Sequence, residues 1–222
     1  MTRLAPSPRP AYRLIPSQFP PIGLFDTVAT AADLAAVMDL VGWTNDRLVA
    51  ERIARLPQSE WVYGTPNASI VMAAFLHAAP GGMRFNGPDL GAWYASDDIR
   101  TAAAEVGHHL RREAVARSVA TMSRTYRAYT ATLAGDYLDI RGRQAEYPDI
   151  YAGESYDASQ GFGEGVRSSG GAGILYTSLR RRSGVKVVAF RPRHIGDILQ
   201  EDHFEIAVSA AGRTIDIRKL TH

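Results

Sequence analysis

The hydrophobic pattern of this 222-residue chain changes near residue 80, and this change limits the fold more than any other feature. Residues 30–56 carry apolar positions at helical spacing, which predicts a helical hairpin. After residue 80, short apolar segments separated by turn residues predict four strands, at residues 173–179, 185–191, 204–210 and 214–220. This order, in which helices come first and strands around one or two helices follow, predicts an α+β fold rather than a regular parallel α/β fold.

Capping residues place the starts of three helices. Thr30 is the predicted cap of the helical hairpin. Thr65 followed by Pro66 predicts the start of a further helix, because proline suits the first helical turn. Ser96 or Asp97 is the predicted cap of a long helix that ends near residue 119.

The remaining segments are shorter. Six prolines within residues 6–21 predict an irregular or extended arm. Residues 122–140 have a rough period of two that is broken at residues 134–136, which predicts a pair of strands. The polar residues 142–156 predict a loop, and residues 160–167 a short helix.

Composition excludes several kinds of site and partner. The chain has no cysteine, which rules out a disulfide scaffold, a thiolate zinc site and a cysteine nucleophile. The 25 Lys and Arg against 23 Asp and Glu give a net charge of +2, too small an excess for a nucleic-acid footprint. Without a long apolar run or the apolar core of a signal peptide, the sequence predicts a cytoplasmic protein without direct nucleic-acid or membrane contact.

Two positions near the long helix suit the binding of a ligand. Glu105 has small and polar neighbours one turn away, which suits a ligand contact, although a solvated surface carboxylate has the same pattern. Tyr94 lies at a predicted strand end, either to stack on a flat ring or to pack in the core. Glu105 and His109 lie four residues apart, but no further ligands with suitable spacing follow, so no metal site is predicted.

Two other segments are each compatible with a structural role or with a binding site. GGMRFN at residues 81–86 sets two glycines beside Arg84 and Asn86, which suits a diphosphate but is also typical of a tight turn. Ser159 precedes the short predicted helix and serves either as its cap or as a ligand contact.

Taken in order, the motifs resemble those of the RES domain family, whose members are toxins of bacterial toxin–antitoxin pairs. The motifs are YR at 12–13, GGMRFN at 81–86, AWYAS at 92–96, AAAEV at 102–106, YDASQGFGEG at 156–165 and GGAGILYTS at 170–178. The resemblance implies an ADP-ribosyltransferase-like fold with central β-sheets, flanking helices and an N-terminal helical addition. It divides the chain into an extended arm (1–21), the helical addition (22–80) and a catalytic core (81–222).

The family's catalytic residues fall on four positions of this chain. The resemblance implies that Arg13, Tyr94, Glu105 and Ser159 are catalytic, with Ser178 in LYTS as the alternative serine. In this chain Arg13 and the family's next arginine, Arg84, are 71 positions apart, whereas family members have a short connection there.

The resemblance also implies the residues that bind NAD⁺. Arg13, Tyr94 and Ser159 would bind it together with Arg84 and Asn86. In this assignment the arginines hold the diphosphate and Tyr94 stacks on the nicotinamide.

The activity implied is that of an NAD⁺-consuming toxin, with NAD⁺ as substrate and no metal. Members of the RES domain family cleave the nicotinamide–ribose bond. For this chain we expect transfer of ADP-ribose to a protein acceptor. The alternatives are an NAD⁺ glycohydrolase or phosphorylase that depletes NAD⁺, and a non-catalytic protein-binding module. The expected partner is a cognate Xre-like antitoxin encoded nearby.

Overall fold

The computed structural model describes residues 3–18, 23, 25–30, 32–33, 47–153 and 155–221, with the backbone only at 47–50. The α-helices used below are α1 (Arg47–Ala54), α2 (Ala68–Leu76), α3 (Ile99–Ala116) and α4 (Asp157–Ser168). The first strands are β1 (Leu4–Pro6), β2 (Ala11–Pro16), β3 (Trp93–Ser96), β4 (Thr121–Leu133) and β5 (Asp136–Asp139). The later strands are β6 (Gly173–Thr177), β7 (Val185–Ala189), β8 (Ile195–Ser209) and β9 (Ile215–Leu220). This is an α+β architecture, as predicted.

In the described part of the chain the strands form one nine-stranded sheet, in the order β1-β5-β6-β7-β3-β2-β4-β8-β9. Its two halves meet at β3 and β2, which pair at a single position, Tyr12 opposite Ser96. On either side of this junction the pairing is longer, with four residue pairs between β3 and β7 and six between β2 and β4. The two halves of the sheet are therefore joined by one residue pair, between β2 and β3.

The proline-rich N-terminal segment provides two strands of this sheet. β1 covers one edge by pairing with β5, whereas β2 lies in the middle of the sheet. The side chains of β2 alternate between the two faces of the sheet. Ala11 packs in one apolar cluster and Leu14 in another on the opposite face. A segment predicted as irregular or extended thus contributes a central strand.

Helices cover both faces of the sheet and divide the core. On one face α2 packs with Trp93, Tyr129 and Leu175 in the largest apolar cluster. On the other face α3 packs over β2, β4 and β8, while α4 covers a separate cluster over β6 and β7. The junction of β2 and β3 lies between these last two clusters.

Two predicted helix starts are wrong because capping depends on residues that local spacing does not identify. The helix predicted to start at Thr65 starts at Ala68, where the carboxylate of Asp26 accepts hydrogen bonds from the backbone N–H groups of Asn67 and Ser69. The long helix is capped by Asp98, which accepts from the Thr101 N–H at 2.6 Å, and not by Ser96 or Asp97.

The Thr30 cap is confirmed. The Thr30 hydroxyl accepts from the Asp33 N–H at 3.1 Å, and the Asp33 carboxylate accepts from the Thr30 N–H at 3.1 Å. The second half of the predicted helical hairpin contains α1, and most of its first half lies outside the described residues.

The segment 122–140 contains two strands, as predicted, but the two do not pair with each other. β4 pairs with β2 and β8, whereas β5 pairs with β1 and β6. The break at Gly135, which has a positive φ of 89°, lets the chain leave one half of the sheet and enter the other. In the described residues no helix is both long and apolar enough to cross a membrane.

Candidate active site

Glu105 lies in the middle of α3 and contacts the end of β6. The Ser178 hydroxyl donates a 2.8 Å hydrogen bond to Oε1 of Glu105. The same hydroxyl oxygen accepts from the backbone N–H groups of Arg180 and Arg181, at 3.1 and 3.2 Å. Because these two donors occupy its lone pairs, the single Ser178 proton is directed at the carboxylate.

A glycine allows the turn that holds Ser178 to approach α3. The turn is closed by the Ser178 N–H, which donates to the Gly184 carbonyl at 2.8 Å. A Cβ atom on Gly184 would lie 2.8 Å from the Thr101 side chain, so a larger residue would push the turn away from the helix. Thr101 is fully buried and also accepts a hydrogen bond from Arg181 at 2.8 Å.

The buried aromatic residue Tyr176 lies near Glu105. Tyr176, two residues before Ser178, is 5% exposed and meets the Phe85 ring edge-on at 4.8 Å. Burial raises the pKa of Tyr176 well above its ordinary value, and the charge of Glu105 and the nearby Tyr94 raise it further. Tyr176 therefore lies within electrostatic reach of both Glu105 and Tyr94.

Tyr94 is fixed by the GGMRFN turn. Its hydroxyl accepts from the Phe85 N–H at 2.9 Å and donates to Oδ1 of Asn86 at 2.8 Å. Asn86 is fully buried, and its amide group donates to the carbonyls of Gly87 and Leu90. Burial raises the pKa of Tyr94, so its hydroxyl stays protonated. Asn86 thus touches Tyr94 and holds its ring in place.

Arg84 holds a loop of the protein itself. Its Nη1 donates to the carbonyls of Ile150 and Ala152, both at 3.0 Å. The guanidinium stacks over the Tyr156 ring, 4.8 Å from the ring centroid. With only 9% of the residue exposed, Arg84 joins the GGMRFN turn to the loop at residues 142–156.

Arg13 lies where the two halves of the sheet separate. Its Nη1 donates to the Tyr94 carbonyl at 3.1 Å, and its guanidinium stacks over the Trp93 ring at 4.7 Å. Its Nε is buried without a hydrogen-bond partner. Burial lowers the pKa of Arg13 to about 10, which leaves it charged at neutral pH. Arg13 therefore links β2 to β3, and its Nε has no hydrogen-bond partner.

The two candidate serines differ in their surroundings. Ser159 is fully buried in the first turn of α4 and donates to the Tyr156 carbonyl at 3.0 Å. Ser178 instead contacts Glu105. The structure thus brings Ser178 into contact with Glu105, and both Glu105 and Tyr94 lie near Tyr176. The contact of Ser159 belongs to the start of α4.

The sequence analysis did not single out Lys186 as a site residue. It lies in β7, is only 6% exposed, and donates to the Ser96 hydroxyl at 3.2 Å. The signal was a lysine inside the apolar run VKVVAF, because lysine is almost never fully buried without a function or a partner.

Two histidines extend the site along α3. His108 and His109 follow Glu105 at one helical turn, and their rings lie 5.6 Å apart. Burial, and then the charge of Arg180, lowers the pKa of His108 to about 4. Burial lowers the pKa of His109 as well, against the effect of Glu105. Among the described residues no group of three or more His, Asp or Glu side chains is arranged to hold a metal ion.

Comparison with known proteins shows similarity to a family model, to a curated relative and to a solved structure. A family model for the RES domain matches residues 52–209, more than two thirds of the chain, and leaves β2 with Arg13 outside the match. An uncharacterized protein of Sinorhizobium fredii, y4oC, is 27% identical over 203 residues, which cover 87% of this chain and 80% of the relative. A solved chain from the MbcT–MbcA toxin–antitoxin complex of M. tuberculosis is 17% identical with a TM-score of 0.42, over 60% of this chain and 74% of that chain.

The extent of the family match decides the classification. It includes the GGMRFN turn, Tyr94, all of α3, and β6 with the following Ser178. The chain is therefore a member of the RES domain family.

Proposed function

We propose that this protein cleaves the nicotinamide–ribose bond of NAD⁺ and transfers the ADP-ribosyl group to a protein acceptor. Membership of the RES domain family supports the activity. The observation that carries the proposal is the Glu105 carboxylate, which is held by the Ser178 hydroxyl near the buried Tyr176. A carboxylate near an aromatic side chain suits a reaction in which nicotinamide leaves the ribose as a neutral base.

Glu105 is the residue we propose to stabilise the reacting sugar. Loss of nicotinamide leaves positive charge on the ribose ring, as in other glycosyl transfers. A carboxylate oriented before the reaction stabilises that charge without reorganising, and the effect is larger where water is excluded. Ser178, with its proton directed at Oε1, keeps the carboxylate in one orientation.

Tyr94 and the two arginines are proposed to hold NAD⁺. The Tyr94 ring provides an aromatic surface for the nicotinamide, and Asn86 supports it by binding its hydroxyl. The unpartnered Nε of Arg13 suits an anionic group near the junction of β2 and β3. Because the Nη1 of Arg84 is bound to two carbonyls, we propose that Arg84 shapes the site and offers only its remaining donors to the diphosphate.

Ser178 takes the place of Ser159 in this proposal. The Ser159 side chain is fully buried and bound to its own helix turn, so we assign it the positioning of α4. Ser178 is the serine that contacts Glu105, and we therefore propose it as the family serine.

We further propose that the protein is the toxin of a toxin–antitoxin pair and that an Xre-like antitoxin is its partner. This rests on the RES domain family, whose members have this role. Expression provides the test: wild-type protein should halt growth unless the antitoxin gene is expressed with it, and Glu105→Ala should remove the growth arrest. A non-catalytic binding module would be tolerated equally in both forms.

The direct test is NAD⁺ turnover by the purified protein. Wild type should release nicotinamide, and Glu105→Ala should be slower by roughly 10²-fold or more, because one oriented transition-state group is lost. Glu113→Gln on the same helix is the control, since Glu113 pairs with Arg124 and Arg117 away from Ser178. Absence of nicotinamide release with water, phosphate or a cell lysate as acceptor would refute the proposal.

The acceptor is tested with NAD⁺ labelled in its adenine. Incubation with a lysate should give a discrete labelled protein band if ADP-ribose is transferred to protein. Free labelled ADP-ribose without a band would show a glycohydrolase, and ADP-ribose 1″-phosphate formed only with phosphate would show a phosphorylase.

A further inference from the structure

The strand that leads to Ser178 loses its partner on one side before it ends. β5 and β6 run parallel and pair as far as Asp139 and Leu175. In the described part of the chain, the last backbone–backbone hydrogen bond between these two segments runs from the Ile140 N–H to the Leu175 carbonyl, at 2.9 Å. Thr177, two residues further along β6, directs its N–H to the same side of the strand and needs another acceptor there.

Tyr151 provides that acceptor. Its hydroxyl accepts from the Thr177 N–H at 3.2 Å and donates to the Ile140 carbonyl at 2.9 Å. The single proton of the hydroxyl is therefore used on the β5 side, and its oxygen remains available to Thr177. Tyr151 is buried, and burial raises the pKa of its hydroxyl, which stays protonated. A side chain thus takes the place of the strand that has ended.

The loop at residues 142–156 holds Tyr151 in place through three further contacts. Nη1 of Arg84 donates to the two backbone carbonyls on either side of Tyr151, both at 3.0 Å. The Gly142 N–H, at the start of the loop, donates to the Thr177 hydroxyl at 3.1 Å. The Tyr151 ring packs in the apolar cluster that contains Tyr176 of β6. The loop therefore presents the hydroxyl to β6 from a fixed position.

The backbone on both sides of the Ser178 side chain is held by hydrogen bonds. The Ser178 N–H donates to the Gly184 carbonyl at 2.8 Å, just before β7, and Tyr151 holds the preceding Thr177 on the β5 side. From this backbone the Ser178 hydroxyl donates to Oε1 of Glu105 at 2.8 Å. Hydrogen bonds weaken steeply as their geometry departs from the ideal, so a displaced end of β6 would weaken the contact with Glu105.

We propose that Tyr151 is a positioning residue that holds the end of β6 and thereby keeps the Ser178 hydroxyl on the Glu105 carboxylate. In this role Tyr151 acts through Thr177 and Ser178 and does not need to touch the substrate. The role rests on the proposed function of Glu105, but the chain of contacts exists without any substrate. Loss of the Tyr151 hydroxyl should therefore affect the reaction only while Ser178 is present.

Amide hydrogen exchange, followed by NMR, tests the chain of contacts in the free protein. The Arg180 and Arg181 N–H groups donate to the Ser178 hydroxyl oxygen, so their protection reports where that oxygen lies. Tyr151→Phe keeps the ring and removes only the hydroxyl. It should speed exchange at Thr177, Arg180 and Arg181 by roughly 3- to 10-fold. Unchanged exchange at Arg180 and Arg181 would overturn the proposal, whether or not the protein cleaves NAD⁺.

A matched variant and the wild type complete this test. Tyr147→Phe removes a hydroxyl from the same loop, and the Tyr147 ring packs on Phe162 while its hydroxyl bonds to none of the described residues. Exchange in Tyr147→Phe should equal that of wild type. In wild type itself the Thr177 amide should be as protected as the amides inside β6, and rapid exchange there would also overturn the proposal. Circular dichroism and urea unfolding establish that Tyr151→Phe is folded.

Kinetics test the consequence for the reaction. Tyr151→Phe should lower kcat for nicotinamide release by roughly 3- to 10-fold per folded molecule and leave KM nearly unchanged. In a Ser178→Ala background the same substitution should change kcat by less than about twofold, because the contact that it supports is already lost. A merely structural role would give the same factor in both backgrounds.

The outcomes separate the two proposals. If wild type releases nicotinamide and Tyr151→Phe either keeps its kcat or loses the same factor in both backgrounds, the positioning role is refuted while the proposed function stands. If wild type is inactive but exchange at Arg180 and Arg181 responds to Tyr151→Phe, Tyr151 does position Ser178 and the proposed reaction fails.

Discussion

Arg13 and Tyr94 are joined at the point where the sheet divides. The Nη1 of Arg13 donates to the Tyr94 carbonyl at 3.1 Å, next to the single residue pair that connects β2 with β3. A side chain thus replaces the ladder hydrogen bonds that the two strands no longer make. The Nε of Arg13 is buried at this junction without a hydrogen-bond partner.

This relationship predicts a loss of stability in Arg13→Met. Removal of the guanidinium leaves the Tyr94 carbonyl without that donor, so the free energy of unfolding should fall by about 1–3 kcal/mol. Urea denaturation measures the effect. Arg55→Met is the control, because Arg55 forms an exposed pair with Asp89, and it should cost less than about 1 kcal/mol. Equal effects of the two substitutions would show that the bond to Tyr94 does not support the junction.

Ser178→Ala should slow NAD⁺ turnover, since it removes the hydroxyl that orients Glu105. A hydrogen bond to a charged group is worth about 1.5–3 kcal/mol, which corresponds to roughly 10- to 100-fold in rate. Steady-state nicotinamide release measures it. Ser159→Ala is the matched comparison and should retain the wild-type rate per folded molecule, because its hydroxyl is bound to the Tyr156 carbonyl. The reverse ranking would restore Ser159 as the functional serine.

Replacing glycines of α4 with alanine should lower stability at Gly163 and raise it at Gly161 and Gly165. A Cβ on Gly163 would lie 2.0 Å from the Phe85 carbonyl oxygen, so Gly163→Ala must displace the GGMRFN turn and should cost about 1–3 kcal/mol. Gly161 and Gly165 have open space at the Cβ position. Alanine at either should stabilise the helix by roughly 0.5–1 kcal/mol. Thermal unfolding distinguishes the two groups, and a stable Gly163→Ala would mean that the turn is not pressed against α4.

The lowered pKa of His108 predicts that the stability of the protein depends on pH. Its pKa in the folded protein is about 4, below the ordinary histidine value, because burial and then Arg180 and His109 disfavour the charged ring. Between that value and about 6.5 the unfolded chain binds more protons than the folded one, so stability falls as the pH falls. His108→Gln should reduce the loss of urea stability between pH 7.5 and 5. A slope identical to that of wild type would contradict this assignment.

Local patterns predicted the elements well where one face of each element is buried. The strands at residues 173–179, 185–191 and 214–220 agree closely with β6, β7 and β9. β8 begins at Ile195, nine residues before the predicted 204–210, because its first half is polar and is held by pairing with β4. Such pairing is a property of the neighbouring strand and leaves no alternation of its own in the sequence.

The sequence alone determined the α+β class, the long helix that carries Glu105, and the resemblance that pointed to the RES domain family. These depend on periodicity and short motifs, which are local. Only the tertiary structure decided that β2 lies at the centre of the sheet and that Ser178 and not Ser159 contacts Glu105. The fold brings together residues far apart in the sequence, such as Glu105 and Ser178, which are 73 positions apart. A hydrophobic period shows which face a residue occupies but not which neighbours it meets there.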